Sequence, residues 1–348
     1  MSNETVRAVA LVSGGLDSML AVRMIQEQGV HVEAINFYTG FCIEGHTQAI
    51  RKKDQEKQKR NNALWVAEQL GIKLHIVDIS AEYKDVVLNP RHGYGQNLNP
   101  CLDCKGFMVA RAQEWMEAHG FDFIFTGEVV GQRPMSQRRE TMPIIARESG
   151  AGDRLLRPLS ARNLPATRPE REGWVDREQL GAISGRSRKE QMRLAREYGL
   201  EDYATPAGGC CFLTDEAYSR KLADLWQARG VRDYELDDIM LLKVGRHLRP
   251  DSAFKLIIGR EKGENQFLRG YRNRFVSLEP TSHPGALALV DGNADAAGLE
   301  LAARIAARYS QGRHAERVTF TVRTPEGDET TMTVPPQAPD AIPNEWIL

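Results

Sequence analysis

Two sets of residues in this 348-residue chain have types and spacing suited to chemistry. The first is Ser13-Gly14-Gly15-Leu16-Asp17-Ser18. It lies between the apolar run Ala8-Val9-Ala10-Leu11-Val12 and the amphipathic stretch Met19-Leu20-Ala21-Val22-Arg23-Met24-Ile25. A strand, a Gly-rich turn and a helix in that order make an anion cradle. The glycines permit close backbone approach and positive φ. The helix N-terminus offers unpaired N–H groups and a partial positive charge. Ser13, Ser18 and Asp17 add hydroxyls and a carboxylate for a phosphate or its magnesium ion. The Lys and the spacing of the GxxxxGK[ST] loop are missing. An ordinary Gly-rich strand–helix turn with a Ser/Asp cap is the competing reading.

The second set is the cysteines. Asn99-Pro100-Cys101-Leu102-Asp103-Cys104 contains a C-x-x-C, and Ala207-Gly208-Gly209-Cys210-Cys211-Phe212 lies far downstream. One tight turn can bring the thiolates of a C-x-x-C to one metal. A third cysteine from the distant loop, Cys210 or Cys211, would complete three ligands. Three thiolates and an open position suit a [4Fe–4S] cluster whose fourth iron takes a ligand such as sulfide. Three alternatives stand beside it: a four-thiolate zinc site using both Cys210 and Cys211, a metal-free pair carrying a persulfide, and inert buried thiols. Cys42, alone after Phe41, reads as a packed thiol.

The elements that must position these residues alternate between strand-like and helix-like. Strands are expected at 6–12, 32–38, 74–79 and 123–126. Helices are expected at 17–28, 61–70 and 107–119, closed by Gly29, Gly71 and Gly120. Such alternation implies α/β architecture, a doubly wound parallel sheet with helices on both faces. Ligands in such sheets bind at the carboxyl ends of the strands, which puts the Ser-Gly-Gly turn, Asn36 and Thr126-Gly127-Glu128 on one rim. Residues 131–172, rich in Arg and Pro, read as a loop-rich linker. Helices follow at 188–198 and 216–229. From 236 the texture reads as β, at 239–244, 253–258 and 266–271, then as a βαβ-like stretch over 285–324. The expected domains are 1–173, an ATP-binding catalytic domain; 174–235, a small helical region with the second cysteine loop; and 236–348, a smaller α+β region. Residues 280–348 carry no functional motif.

The net charge of −1 excludes a global polycation, so a nucleic-acid site must be a local patch. The polar N-terminus, the short apolar runs and the odd number of cysteines point to a cytoplasmic protein with no membrane span. Three basic segments have both a solvated and a phosphate-contacting reading. They are the run 51–60, the arginines of 131–172, and Lys243, Arg246, His247, Arg249, Arg260 and Lys262.

The 13–18 loop resembles the SGGxDS loop of the PP-loop ATP pyrophosphatases, which split ATP between the α- and β-phosphates and adenylate a substrate oxygen. The cysteine loops are similar to those of the tRNA 2-thiouridylase branch of that superfamily. Asn99-Pro100 to Cys104 matches its Asn-Pro-x-x-x-Cys loop, and Gly209-Cys210-Cys211-Phe212 its Gly-x-Cys-Phe loop. The resemblance makes Cys104 and Cys211 the matched pair and Asp17 the magnesium-binding catalytic carboxylate. Two positions depart from the pattern. Cys101 stands where members carry Asp, which favours iron–sulfur ligation by Cys101, Cys104 and Cys211. Glu128 stands where the Thr-Gly-His segment has His. Residues 236–275 resemble the small RNA-binding domain of the NFACT proteins.

The resemblance implies ATP-dependent thiolation of a tRNA uridine. ATP and Mg²⁺ would be bound by Ser13, Gly14, Gly15, Asp17 and Ser18, with Asn36 and Gly127 flanking the adenosine. The sulfur donor would be sulfide or a persulfide carrier. An amide-forming or sulfur-inserting PP-loop enzyme acting on a small molecule is the alternative. A third possibility, an RNA-binding module with a degenerate loop, is opposed by the intact hexapeptide.

Overall fold

The computed structural model describes residues 5–43, 61–200, 202–203 and 211–348. The basic run 51–60 and the residues Gly208, Gly209 and Cys210 lie outside them. The chain divides into two compact units, Met1–Thr39 with Lys59–Gly209, and Gly40–Gln58 with Cys210–Leu348.

The first unit is built on a parallel five-stranded sheet of order β3-β2-β1-β4-β5. Its strands are β1 (Arg7–Leu11), β2 (His31–Tyr38), β3 (Leu74–Asp78), β4 (Phe123–Thr126) and β5 (Leu155–Leu156). Its helices are α1 (Leu16–Gln26), α2 (Asn62–Leu70), α3 (Ser80–Leu88), α4 (Cys101–Ala118), α5 (Thr141–Glu148), α6 (Arg168–Arg171) and α7 (Lys189–Glu197). Strand side chains alternate between faces, and here both faces are covered. Ala8, Ala10, Phe123 and Phe125 pack with α1 and Val66 of α2. Val9 and Ile124 pack with Val109, Ala112 and Met116 of α4. This is the doubly wound sheet expected from the sequence. The strand order reverses between β1 and β4, so the loops after these two strands flank the switch point. Asn61 caps α2 by accepting from the N–H groups of Ala63 (3.0 Å) and Leu64 (3.1 Å), and Gly71 ends it at φ 62°.

Residues 131–172 are not a linker. They hold α5 and α6, and β5 pairs with β4 as the fifth strand. The strand is two leucines between Arg154 and Arg157, too short for a period to register. Helix α4 starts six residues before its expected boundary, so Cys101 and Cys104 occupy its first turn rather than an isolated Pro-led turn. Helix α3 had no counterpart in the sequence reading.

The second unit carries an antiparallel six-stranded sheet of order β11-β10-β8-β9-β7-β6. After α8 (Glu216–Arg229) and α9 (Leu236–Leu241) come β6 (Arg246–Asp251), β7 (Phe254–Ile258), α10 (Lys262–Arg269), β8 (Val276–Pro280), β9 (Ala288–Gly292), α11 (Ala296–Arg308), β10 (Val318–Arg323) and β11 (Glu329–Val334). The alanine-rich face of α11 packs on Leu248, Phe254, Leu256, Leu278 and Phe320. The stretches expected as β at 239–244 and 266–271 are largely helical. Glu235 and Asp238 form a capping box that starts α9, and α10 buries little beyond Leu268, which leaves no helical apolar stripe to read.

Candidate active site

The loop after β1 packs closely against the start of α2. Gly14 sits at φ 77°, and a Cβ there would lie 2.5 Å from Asn62 Cβ and 2.9 Å from the Ala63 nitrogen. Only glycine meets both demands. Gly15 precedes α1 without a side-chain cap. The Ser18 hydroxyl is turned inward and donates to the Gly15 carbonyl (2.7 Å). Ser13 is exposed. Asn36, on β2, donates to the Val12 carbonyl (2.7 Å) and fixes the start of the loop.

The loop after β4 rests on the first turn of α1. A Cβ on Gly127 would meet Asp17 C and O at 2.5 Å and Ser18 N at 2.6 Å. The Asp17 carboxylate accepts through Oδ2 from Gln132 Nε2 (2.7 Å) and Arg188 Nη2 (3.2 Å). Gln132 in turn accepts from Gln191 Nε2 (3.0 Å), whose residue is fully buried. Asp17 Oδ1 is buried and has no hydrogen-bond partner. A buried carboxylate oxygen left unpaired is costly. The chemistry of such an oxygen suits one ligand position of a hydrated magnesium ion. Gln132, Arg188 and Gln191 escaped the sequence reading because they come from separate loops and a later helix.

Glu128 is 3% exposed. Its Oε2 accepts from Thr126 Oγ1 (2.9 Å) and Arg157 Nε (3.2 Å), and Lys105 Nζ lies 3.8 Å from Oε1. Burial acts to raise its pKa, but the Lys105 ammonium and Arg157 guanidinium outweigh it and hold the carboxyl below its usual range. Lys105 follows Cys104 directly. The Glu that replaces His is therefore a strut from the end of β4 to the cysteine-bearing start of α4. Arg154 and Arg171 are likewise committed, to Glu117 and Asp153.

Cys101 and Cys104 are half-buried, reduced, and one turn apart at the helix N-terminus. Asn99 Nδ2 donates to Cys101 Sγ (2.9 Å). Asp103 accepts from the backbone N–H groups of Arg91 (3.0 Å) and His92 (3.1 Å). Among the described residues no group of three or more His, Cys, Asp or Glu side chains gathers at a metal position. These two thiols alone do not fit a [4Fe–4S] cluster with three thiolate ligands.

Cys211 lies in the second unit. Its strand partner there is Cys42, across an antiparallel bridge. The ammonium of Lys243 lies 5.1 Å from the Phe212 ring centroid and donates to the Gly40 carbonyl. The order Phe41-Cys42 against Cys211-Phe212 is the sequence trace of this pairing.

A cleft of about 680 Å³ in the second unit is lined by Arg246, Arg260, Lys262, Arg269, Arg313 and His314, among others. Three members of the basic set read from the sequence have other roles. Arg249 pairs with Asp224, with Nη2 2.9 Å from Oδ2. His247 Nε2 faces the carbonyls of Leu241 (3.2 Å) and Val244 (2.9 Å), and burial pushes its pKa well down. Burial also pushes Lys243 down, to about 8. Arg269 joins the cleft from α10, and Arg313 and His314 join it from the turn after α11, a region without a motif. No helix among the described residues is long and apolar enough to cross a membrane.

Comparison with known proteins places both ends of the chain. Residues 6–147 match the family model of the tRNA methyl transferase HUP domain, and residues 245–347 that of the NFACT protein RNA binding domain. The latter match takes in residues 280–347, where no motif was legible. A tRNA-specific 2-thiouridylase MnmA of Methylobacterium nodulans is 26% identical over 276 residues, 75% of this chain and 65% of that protein. Another, of Pseudoalteromonas translucida, is 31% identical over 137 residues, 37% of this chain and 35% of that protein. In most of these relatives the match spans only about a third to two fifths of their length. A solved 4-thiouridine synthetase–RNA complex with bound ATP has a TM-score of 0.33 at 20% identity, covering 56% of this chain and 52% of that one. The resemblances read from the sequence thus hold at both ends: residues 6–147 are similar to the tRNA methyl transferase HUP domain and residues 245–347 to the NFACT RNA-binding domain.

Proposed function

We propose that this protein is an ATP-dependent sulfurtransferase that thiolates a uridine of tRNA. The observation that carries the reading is the Asp17 carboxylate. It is fixed by Gln132 and Arg188 at the switch point, with one buried oxygen left unpartnered at the N-terminus of α1. The 2-thiouridylase relatives supply the reaction class.

In this reading the 13–18 loop and the first N–H groups of α1 hold the ATP phosphates. Asp17 would hold Mg²⁺, which would supply charge neutralisation for the pyrophosphate group. Asn36 and the Gly127 region flank the adenosine. The uridine carbonyl oxygen attacks the α-phosphate and pyrophosphate leaves. Sulfur then attacks the ring carbon, and AMP leaves with the former carbonyl oxygen. Cys104, in the first turn of α4, and Cys211 are the sulfur-handling residues. The sulfur comes from sulfide or a persulfide carrier. The basic cleft of the NFACT-type domain tracks the RNA backbone, and the acting compartment is the cytoplasm.

The test supplies the purified chain with ATP, Mg²⁺, sulfide and tRNA. The expected result is tRNA-dependent release of AMP and pyrophosphate, with thiouridine in the digested RNA by mass spectrometry. Both are lost in Asp17→Ala. Release of ADP and phosphate, or AMP formation indifferent to tRNA, would overturn the reading.

A further inference from the structure

Cys42 is the one cysteine that neither the motifs nor the proposed reaction use. Its backbone faces that of Cys211 across the antiparallel bridge. The Phe212 N–H donates to the Phe41 carbonyl (2.9 Å), so the ladder bond falls on the neighbouring pair and the two cysteines form a non-hydrogen-bonded pair. In such a pair the Cα atoms are about 4.5 Å apart and the side chains share one face. That separation is within the range a disulfide spans, about 4.4–6.8 Å.

Both strands are pinned. Phe41 is fully buried, edge-on to Tyr218 (6.2 Å) and Tyr234 (5.5 Å). The Thr214 hydroxyl donates to the Cys211 carbonyl (2.7 Å). Both sulfur-bearing residues remain half-exposed and reduced. The Lys243 ammonium is electrostatically coupled to both of them.

We propose that Cys42 is the resolving cysteine for sulfur carried as a persulfide on Cys211. The inference rests on the thiolation reading above. The terminal sulfur of the Cys211 persulfide attacks the adenylated ring carbon, and AMP leaves. The Cys42 thiolate, having lost its proton to solvent, then attacks Cys211 Sγ. A Cys42–Cys211 bond forms, the bond from Cys211 Sγ to the transferred sulfur breaks, and its electron pair stays on that sulfur as the thiocarbonyl. A dithiol reductant restores the two thiols for the next turnover. Without RNA, the same attack on the persulfide releases hydrosulfide. Because both cysteines belong to one compact unit, the resolving step needs no group from the other.

The experiment uses the full chain with Cys210→Ser, which leaves one cysteine in the downstream loop. Mild oxidation with diamide, then non-reducing trypsin digestion and mass spectrometry, identifies the partner of Cys211. The expected product joins peptide 24–51, which carries Cys42, to peptide 197–220, which carries Cys211. Linkage of 197–220 to 92–105, which carries Cys101 and Cys104, or no linkage of Cys211, would overturn the assignment. In a second arm the protein is loaded with polysulfide, desalted, and followed for hydrosulfide release without ATP, RNA or reductant. Cys42→Ser should release it at least tenfold more slowly. An unchanged rate would overturn the proposal. Neither arm involves ATP or RNA, so a failure of the resolving step is distinguishable from a failure of the thiolation reaction.

Discussion

The switch point of the parallel sheet and the cleft of the antiparallel domain handle charge in opposite ways. At the switch point the charged groups are few, at least partly buried, and opposed. Asp17 is fixed by Arg188, and Glu128 by Lys105 and Arg157. Two glycines there lie closer to neighbouring backbone than any Cβ permits. In the cleft the charges are mostly of one sign and spread over three segments, around Arg246, Arg260–Arg269 and Arg313. The first arrangement fixes individual atoms, as chemistry on one phosphate requires. The second suits a repeating anionic backbone, where total charge matters more than any one contact. Single substitutions should therefore be severe at the switch point and mild in the cleft.

The largest effect is expected from Asp17→Ala. AMP formation should fall by about 10²–10³-fold, the scale for losing one preorganised electrostatic contact. The fold should survive, as circular dichroism would check. Gly127→Ala comes next. Its methyl group would displace the first turn of α1, and a shift of about 1 Å costs on the order of 10²-fold in rate. A calorimetric scan should show lower stability as well.

Glu128→Gln should act on stability before activity, because it leaves Lys105 and Arg157 facing a neutral group. Breaking a buried pair from one side costs about 3–5 kcal/mol, which urea unfolding at neutral pH would read. The sign with pH follows from the lowered pKa. The carboxylate's contribution is fully present above the unfolded value of 4.5 and is lost as pH falls through the lower folded value. The wild type should lose stability over that acid range, and the variant should lose less. The smallest effect is expected from Arg313→Ala in the cleft. RNA affinity should drop about equally for all sequences, with the log–log salt slope reduced by about one. A loss confined to one RNA sequence would break the contrast between the two regions.

The parallel sheet was legible because its strands are apolar runs and its helices end at Gly29, Gly71 and Gly120. Gly14 and Asp17 stood out because motif and strand–turn–helix context coincided. What holds Asp17 was not legible, since Gln132, Arg188 and Gln191 meet only through long-range packing of loops. Strand β5 was hidden by its length, and α9 by a β-like composition that its capping box overrides. The pairing of Cys42 with Cys211 is a tertiary fact that neither cysteine's neighbours announce alone. Among the basic residues around 243–249, burial, which sequence does not give, turns Lys243 and His247 into internal supports, while Arg246 lines the cleft.

The central claim is that a uridine carbonyl oxygen is adenylated and replaced by sulfur. It is tested most directly with tRNA carrying ¹⁸O at the uridine ring carbonyls, incubated with the protein, ATP, Mg²⁺ and sulfide. Mass spectrometry of the AMP released should find one ¹⁸O per thiouridine formed. Unlabelled AMP, with the ¹⁸O retained in the RNA, would contradict the account.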